Sequence, residues 1–191
     1  MPIQHPDGKL SNEGRKQARM LAKRFSRIPV DIILASDITR AKQTAEIISD
    51  AIKKDIVFSH LLREIRVPRE IMGKSEKDPE VLRFKQQTKN HADEPEWHYS
   101  DEENFFEMKE RAGEFLRFLG TRKEENILVV SHGRFIRLII LAMAFGEEFS
   151  YKMRASFNEA FRVTNTGITL CEQDSKGRWE IITWNDHAHL G

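Results

Sequence analysis

The stretch Ile127-Leu128-Val129-Val130-Ser131-His132-Gly133-Arg134-Phe135-Ile136-Arg137 decides how the chain folds. Four consecutive aliphatic residues between Asn126 and Ser131 read as a strand buried on both faces, the type found inside a parallel sheet. His132 then falls at the strand's carboxyl end, and Gly133 opens an apolar helix that runs to about Phe145 and a stop at Gly146. In open α/β sheets ligands bind at that end of the strands, and the free N–H groups of a helix's first turn face an anion there. The junction therefore reads as an anion site, with His132 and Gly133 in it.

A second junction of the same kind lies upstream. Residues 31–36 give another short apolar strand, and Ser36-Asp37-Ile38-Thr39-Arg40 leads from it into a helix whose inner face is Ile38, Ala41, Ala45, Ile48 and Ile52. Asp37 suits the positive end of that helix. Before it, Ser11 can cap a helix with Ala18, Leu21, Ala22 and Phe25 on one side. Ile56-Val57-Phe58 is a third strand, and a helix over 103–119 carries Phe105, Met108, Ala112, Phe115 and Leu119. The last strands are expected at 161–164, 168–171 and 179–184, joined by turns at Asn165-Thr166-Gly167 and Asp174-Ser175-Lys176-Gly177. The alternation predicts a three-layer α/β/α fold, with a mostly parallel sheet and an antiparallel C-terminal hairpin.

Residues 1–191 read as one domain, since no linker-like tract divides them. The polar segment 66–101, with prolines at 68, 79 and 95, reads as a lid or insertion holding one short helix near 79–87. A formal net charge of +1 gives no global attraction to nucleic acid or to an anionic membrane. The most apolar region is interrupted by His132, Arg134 and Arg137, so no transmembrane span is expected. No signal peptide is read at the start, and the lone Cys171 fits a reducing compartment, so the expected location is the cytoplasm.

Three side chains can do chemistry near the two junctions. Arg40, in a helix's first turn, can reach back over the strand end and grip two phosphate oxygens, unless it simply pairs with Asp37. His132 is either a site residue or a core histidine satisfied by a backbone carbonyl. Glu64, between an apolar pair and the polar segment, suits a carboxyl whose raised pKa lets it donate a proton to a leaving oxygen. Arg66, Arg69, Lys74 and Lys77 could attract acidic substrates or be solvated surface, and Trp97 could anchor the lid. No histidine cluster has metal-ligand spacing, and neither a metal nor another cofactor is expected.

The ordered set Ser36-Asp37-x-x-Arg40-Ala41-x-Gln43-Thr44-Ala45, Leu62-x-Glu64 and Val129-Val130-Ser131-His132-Gly133 resembles the histidine phosphatase, or phosphoglycerate mutase-like, superfamily. The resemblance begins at Asp7-Gly8-Lys9-Leu10-Ser11-Asn12-Glu13-Gly14 and runs through Asp101-Glu102-Glu103 and Asn165-Thr166-Gly167 to the closing His189-Leu190. It implies that Arg40 binds a phosphoryl group with Ser36 and Gly133 beside it. It further implies that His132 stabilises the transferring phosphoryl and that Glu64 serves as general acid and then base. A histidine would attack phosphorus and water would hydrolyse the phosphohistidine, without a metal. The substrate would be a small phosphorylated molecule.

In that family the nucleophile sits in an Arg-His-Gly motif ending the first strand, and this sequence contains no Arg-His-Gly. The upstream histidine here is His5, in Gln4-His5-Pro6, which reads as a loop residue. The chain is therefore expected to be an N-terminally incomplete phosphatase. A catalytically inactive phospholigand-binding or regulatory protein is the alternative, and a phosphoglycerate mutase the second. Oligomeric state is not legible.

Overall fold

The central strand, β1 (Ile32–Ser36), is buried at every position. In this computed structural model, which describes Ile3, His5 and residues 8–191, it pairs in parallel with β2 (Ile56–Ser59) on one side and β3 (Ile127–Val130) on the other. Leu34 lies opposite Val57 and Val129, and Ala35 opposite Phe58 and Val130. Asp31 fixes the start of this register, because its carboxylate and N–H both bond the backbone of Asn126, each at 2.8 Å.

Side chains alternate across a strand, so the two faces of β1 enter different cores. Ile33 and Ala35 pack with Leu21, Ala22 and Phe25 of α1 (Asn12–Phe25) and with Ala45 and Ile48 of α2 (Thr39–Ile52). Leu34 packs on the other face with Met108, Ala112 and Phe115 of α4 (Phe105–Gly120) and with Phe135, Leu138 and Ile139 of α5 (Gly133–Phe145). The helices start where their caps dictate: Ser11 Oγ accepts from Gly14 N–H, and Asn104 and Glu107 form a reciprocal capping box. Segment 66–101 holds α3 (Pro79–Asn90) and gathers Val67, Ile71 and Val81 into its own small cluster, against which Ile3 packs.

The C-terminal hairpin is β4 (Ile168–Gln173) with β5 (Trp179–Asp186), antiparallel as expected but forming a separate two-stranded sheet. Arg24 of α1 pairs with Asp186 and so ties the hairpin's end back to the body. No helix among the described residues is long and apolar enough to cross a membrane.

Two expectations fail. Residues 161–164 form no strand; α6 (Tyr151–Ala160) precedes them, and Phe161 stacks on Phe157 of that helix with ring centroids 4.2 Å apart. β3 is only partly buried along its whole length, not buried on both faces. The cause is topological: β3 hydrogen-bonds to β1 alone, and its other edge carries no strand among the described residues. Exposed apolar groups on the hairpin, Leu170, Ile181 and Ile182, repeat that pattern.

Candidate active site

Both strand-to-helix junctions open on the same end of the sheet, because β1 and β3 run parallel and in register. Ser36 and His132 meet there, with His132 Nε2 at 2.9 Å from Ser36 Oγ and both residues buried. Ser36 Oγ also accepts the N–H of Ile38, which fixes the hydroxyl at the start of α2. Burial pushes the His132 pKa down to about 4; Glu64 opposes this, while Arg40, Arg134 and Arg111 reinforce it. At neutral pH His132 is therefore a neutral imidazole. Of the two readings of His132, a core histidine on a backbone carbonyl does not hold, since its partner is the Ser36 hydroxyl.

Glu64 follows the 3-10 turn His60–Leu62 and points at the amino end of α5. Its Oε1 accepts the N–H groups of Ile65 at 2.9 Å and Phe135 at 3.2 Å, and its Oε2 stands 3.6 Å from Arg134 Nε. The anion expected at the head of the helix after β3 is thus in part this chain's own carboxylate. The expected raised pKa is overturned as well. Burial pushes the carboxyl up, but the Arg134 guanidinium and the N–H donors outweigh it and hold it below its ordinary value. His132 adds to this only when protonated. Glu64 is a carboxylate in the unliganded protein.

Arg40 lies in the first turn of α2, close enough to Glu64 and Arg134 for both charges to act on it. Its Nη1 donates to the backbone oxygen of His5 at 3.2 Å. The pairing with Asp37 does not form, because Asp37 takes both its bonds from Arg63. Gly133 stands in the first turn of α5, where an added Cβ would meet only Val163 at 3.8 Å, so crowding does not impose a glycine there. The structure thus brings Ser36, Arg40, Glu64, His132 and Gly133 to one end of the sheet.

Three of the four cations named in segment 66–101, Arg66, Arg69 and Lys74, are already engaged. Arg66 donates to the backbone of Asp101 and Glu102, Arg69 pairs with Asp101, and Lys74 pairs with Glu80. Trp97 stacks on His91 at 4.4 Å, and His189 bonds Thr166 away from the site. Among the described residues no group of three or more His, Cys, Asp or Glu is placed to hold a metal ion.

A supporting pair escaped the sequence reading. Arg111 of α4 makes two bonds to Glu103, at 2.6 and 2.7 Å, and donates to the backbone oxygens of Leu61 at 2.8 Å and Arg63 at 3.0 Å. It therefore clamps the chain on the amino side of Glu64, while Glu103 N–H bonds the backbone oxygen of Arg66 on the other side. Ser131 Oγ adds a bond to Leu62 O at 2.8 Å. The available signal was a charged residue beside the apolar stripe of α4.

Known proteins resemble this chain along nearly its whole length. The profile of the histidine phosphatase superfamily (branch 1) matches residues 2–187. Phosphoglycerate mutase-like protein 4 of Arabidopsis thaliana is 27% identical over 194 residues, covering 97% of this chain and 78% of that protein. A probable phosphatase of Schizosaccharomyces pombe is 28% identical over 192 residues, covering 96% and 84%. Among solved structures, Bacillus stearothermophilus YhfR superposes with a TM-score of 0.79 at 23% identity, over 99% of this chain and 90% of that one. A phosphoserine phosphatase from Entamoeba histolytica, in complex with phosphoserine, gives 0.76 at 23% identity over 100% and 91%. These two share the fold. With a match across nearly its whole length, this chain belongs to the histidine phosphatase superfamily.

Proposed function

We propose that this chain carries the phosphoryl-binding and proton-transfer half of a phosphomonoester hydrolase that works through a phosphohistidine, without a metal, in the cytoplasm. The observation that carries the reading is the convergence of Arg40, His132 and Glu64 where β1, β2 and β3 end, with Ser36 seated on His132. Phosphoryl transfer asks chiefly for in-line positioning and concentrated positive charge. Arg40 would hold two phosphoryl oxygens, and His132 would lie against the charge that spreads over the equatorial oxygens.

In the first step a nucleophilic histidine bonds to phosphorus as the bond to the leaving oxygen breaks, and that oxygen takes a proton from Glu64. Water then attacks the phosphohistidine, Glu64 takes its proton, and inorganic phosphate leaves. Glu64 must enter protonated, and the substrate itself arranges this. A phosphoryl dianion placed beside the carboxylate repels it and raises its pKa from the depressed resting position.

The nucleophile would ride on an Arg-His-Gly strand, a motif that this sequence does not contain, seated along the free edge of β3. The in-frame codons preceding Met1 test this. Arg-His-Gly there, with hydrolysis of p-nitrophenyl phosphate by the extended chain, is the expected result; a stop codon with no such motif contradicts it. One observation favours a second reading, in which the chain binds phospholigands without turnover: the same missing motif. Turnover of p-nitrophenyl phosphate by the present chain, abolished by His132→Ala, would exclude that reading.

A further inference from the structure

Ser36 and His132 meet through a single contact, and the serine hydroxyl decides its direction. Ser36 is fully buried, and its Oγ already accepts the N–H of Ile38 at 3.2 Å. For its own proton there is one acceptor among the described residues, His132 Nε2 at 2.9 Å. Two arrangements compete. If Nε2 carries the ring proton it donates to Oγ, which then accepts twice and keeps its O–H buried without an acceptor. If Nε2 is bare, Ser36 Oγ–H donates to it, and every polar atom of the contact is matched. An unmade buried donor costs enough to shift the balance by about tenfold. Burial keeps the ring uncharged at neutral pH, so its one proton belongs on Nδ1.

That nitrogen is left for a ligand. The buried side-chain atoms without a hydrogen-bond partner among the described residues are Arg24 Nη1, Arg137 Nε and His189 Nδ1. His132 Nδ1 also bonds no group among the described residues, yet it is not one of these, so it is open to solvent. It opens where β1 and β3 end, beside the first turn of α2 that carries Arg40. A bare Nδ1 would turn a lone pair toward phosphoryl oxygens and repel them. A protonated Nδ1 offers them a donor whose place is fixed before the substrate arrives.

We infer that Ser36 is a positioning residue that holds His132 in its Nδ1–H tautomer, so that the ring meets the phosphoryl group as a hydrogen-bond donor and transfers no proton. This rests on the phosphoryl-site reading above. It changes what Ser36 does. With Oγ accepting from Ile38 and donating to His132, the hydroxyl proton is used, and Ser36 acts on the phosphoryl group through the ring instead of touching it. It also divides the work of the site: Glu64 moves protons, while His132 supplies a fixed N–H dipole against the charge on the phosphoryl oxygens.

Long-range proton–nitrogen correlation NMR of the full chain, with isotope-labelled histidine at neutral pH, tests this. The spectrum of His132→Gln identifies the His132 signals among those of the seven histidines. The wild-type chain should show Nδ1 protonated and Nε2 bare, with the Nδ1–H form in about tenfold excess. In Ser36→Ala, where Nε2 loses its donor, the excess should fall to within about threefold of unity. Ser36→Cys, whose thiol is a weaker donor of similar size, should give an intermediate value, and it carries the test alone if Ser36→Ala does not fold. Thermal unfolding checks each variant, and loss of packing alone would not move a proton between ring nitrogens. A wild-type ring protonated at Nε2, or an Nδ1–H excess unchanged in the folded variants, overturns the inference. Titration with inorganic phosphate separates the two levels, and bound phosphate should displace the Nδ1 resonance more than that of Nε2. If phosphate binds and Nδ1 carries no proton, only this inference falls; if phosphate does not bind, both readings fall.

Discussion

Acid should destabilise this protein through His132 before its carboxylates titrate; His189, whose pKa is also lowered by burial, adds to the effect, and His98, raised by Glu107, opposes it. His132 has a pKa of about 4 in the fold against an ordinary value of 6.5, because it is buried and three arginines face it. A folded pKa below the unfolded one means that the unfolded chain binds the proton more readily. Stability is therefore fully present above pH 6.5 and is lost as pH falls toward 4. With 1.36 kcal/mol per pKa unit, the loss between pH 7 and pH 5 is about 2 kcal/mol, and it approaches about 3 kcal/mol at pH 4. Glu64 and Asp37, whose pKa values are lowered, contribute in the same direction but below the range of unfolded carboxylates. The assay is urea unfolding of wild type and His132→Gln across pH 4.5–7.5. The difference between the two stabilities should shrink by about 2 kcal/mol on going from pH 7 to pH 5. Parallel pH profiles for the two proteins would refute the burial argument.

Further outcomes follow from other contacts. Arg111→Met leaves Glu103 buried without its cation, a change expected to cost about 3 kcal/mol in urea unfolding and to loosen the Glu64 segment; an unchanged midpoint would count against the clamp. In Gly167→Ala the new methyl group would meet Asn185 Oδ1 at 2.0 Å, the same oxygen that accepts Thr164 N–H, so a loss of about 1–3 kcal/mol is expected in a thermal melt. An unaltered melting temperature would show that Asn185 moves aside at no cost.

The parts of the fold legible in the sequence were those whose environment is encoded locally. α1, α2 and α4 each carry an apolar stripe at helical spacing, and each stripe is the face that packs on the sheet. α6 was missed because its core contacts, Tyr151, Met153 and Phe157, are only partly buried and are interspersed with polar residues. Phe161-Arg162-Val163-Thr164 has the alternation of a strand but no partner strand, and Phe161 is drawn instead to Phe157 and Trp184. The aliphatic run of β3 marked a strand correctly, yet its burial depends on what lies along its free edge, which no local pattern contains.

Much the same division runs through the site. Ser36, Arg40, Glu64 and His132 could be picked out because each stands where an apolar strand or turn ends, the end at which parallel strands present side chains. Their charge states could not be read, since Glu64 is set by Arg134 and by backbone N–H groups of α5, and His132 by burial among arginines from three helices. Glu103 and Arg111 were invisible as a pair, because their shared target is a backbone segment some forty positions earlier, as in the bond from Arg111 to Arg63 O across 48 residues.

The central claim, that Arg40 and His132 hold a phosphoryl group, is tested most directly by following the His132 ring by NMR as inorganic phosphate is added. Saturable binding should shift its resonances and raise its pKa above about 4, because a bound dianion favours the imidazolium, and Arg40→Ala should abolish both effects. Resonances that do not respond to phosphate, or that respond equally in Arg40→Ala, would contradict it.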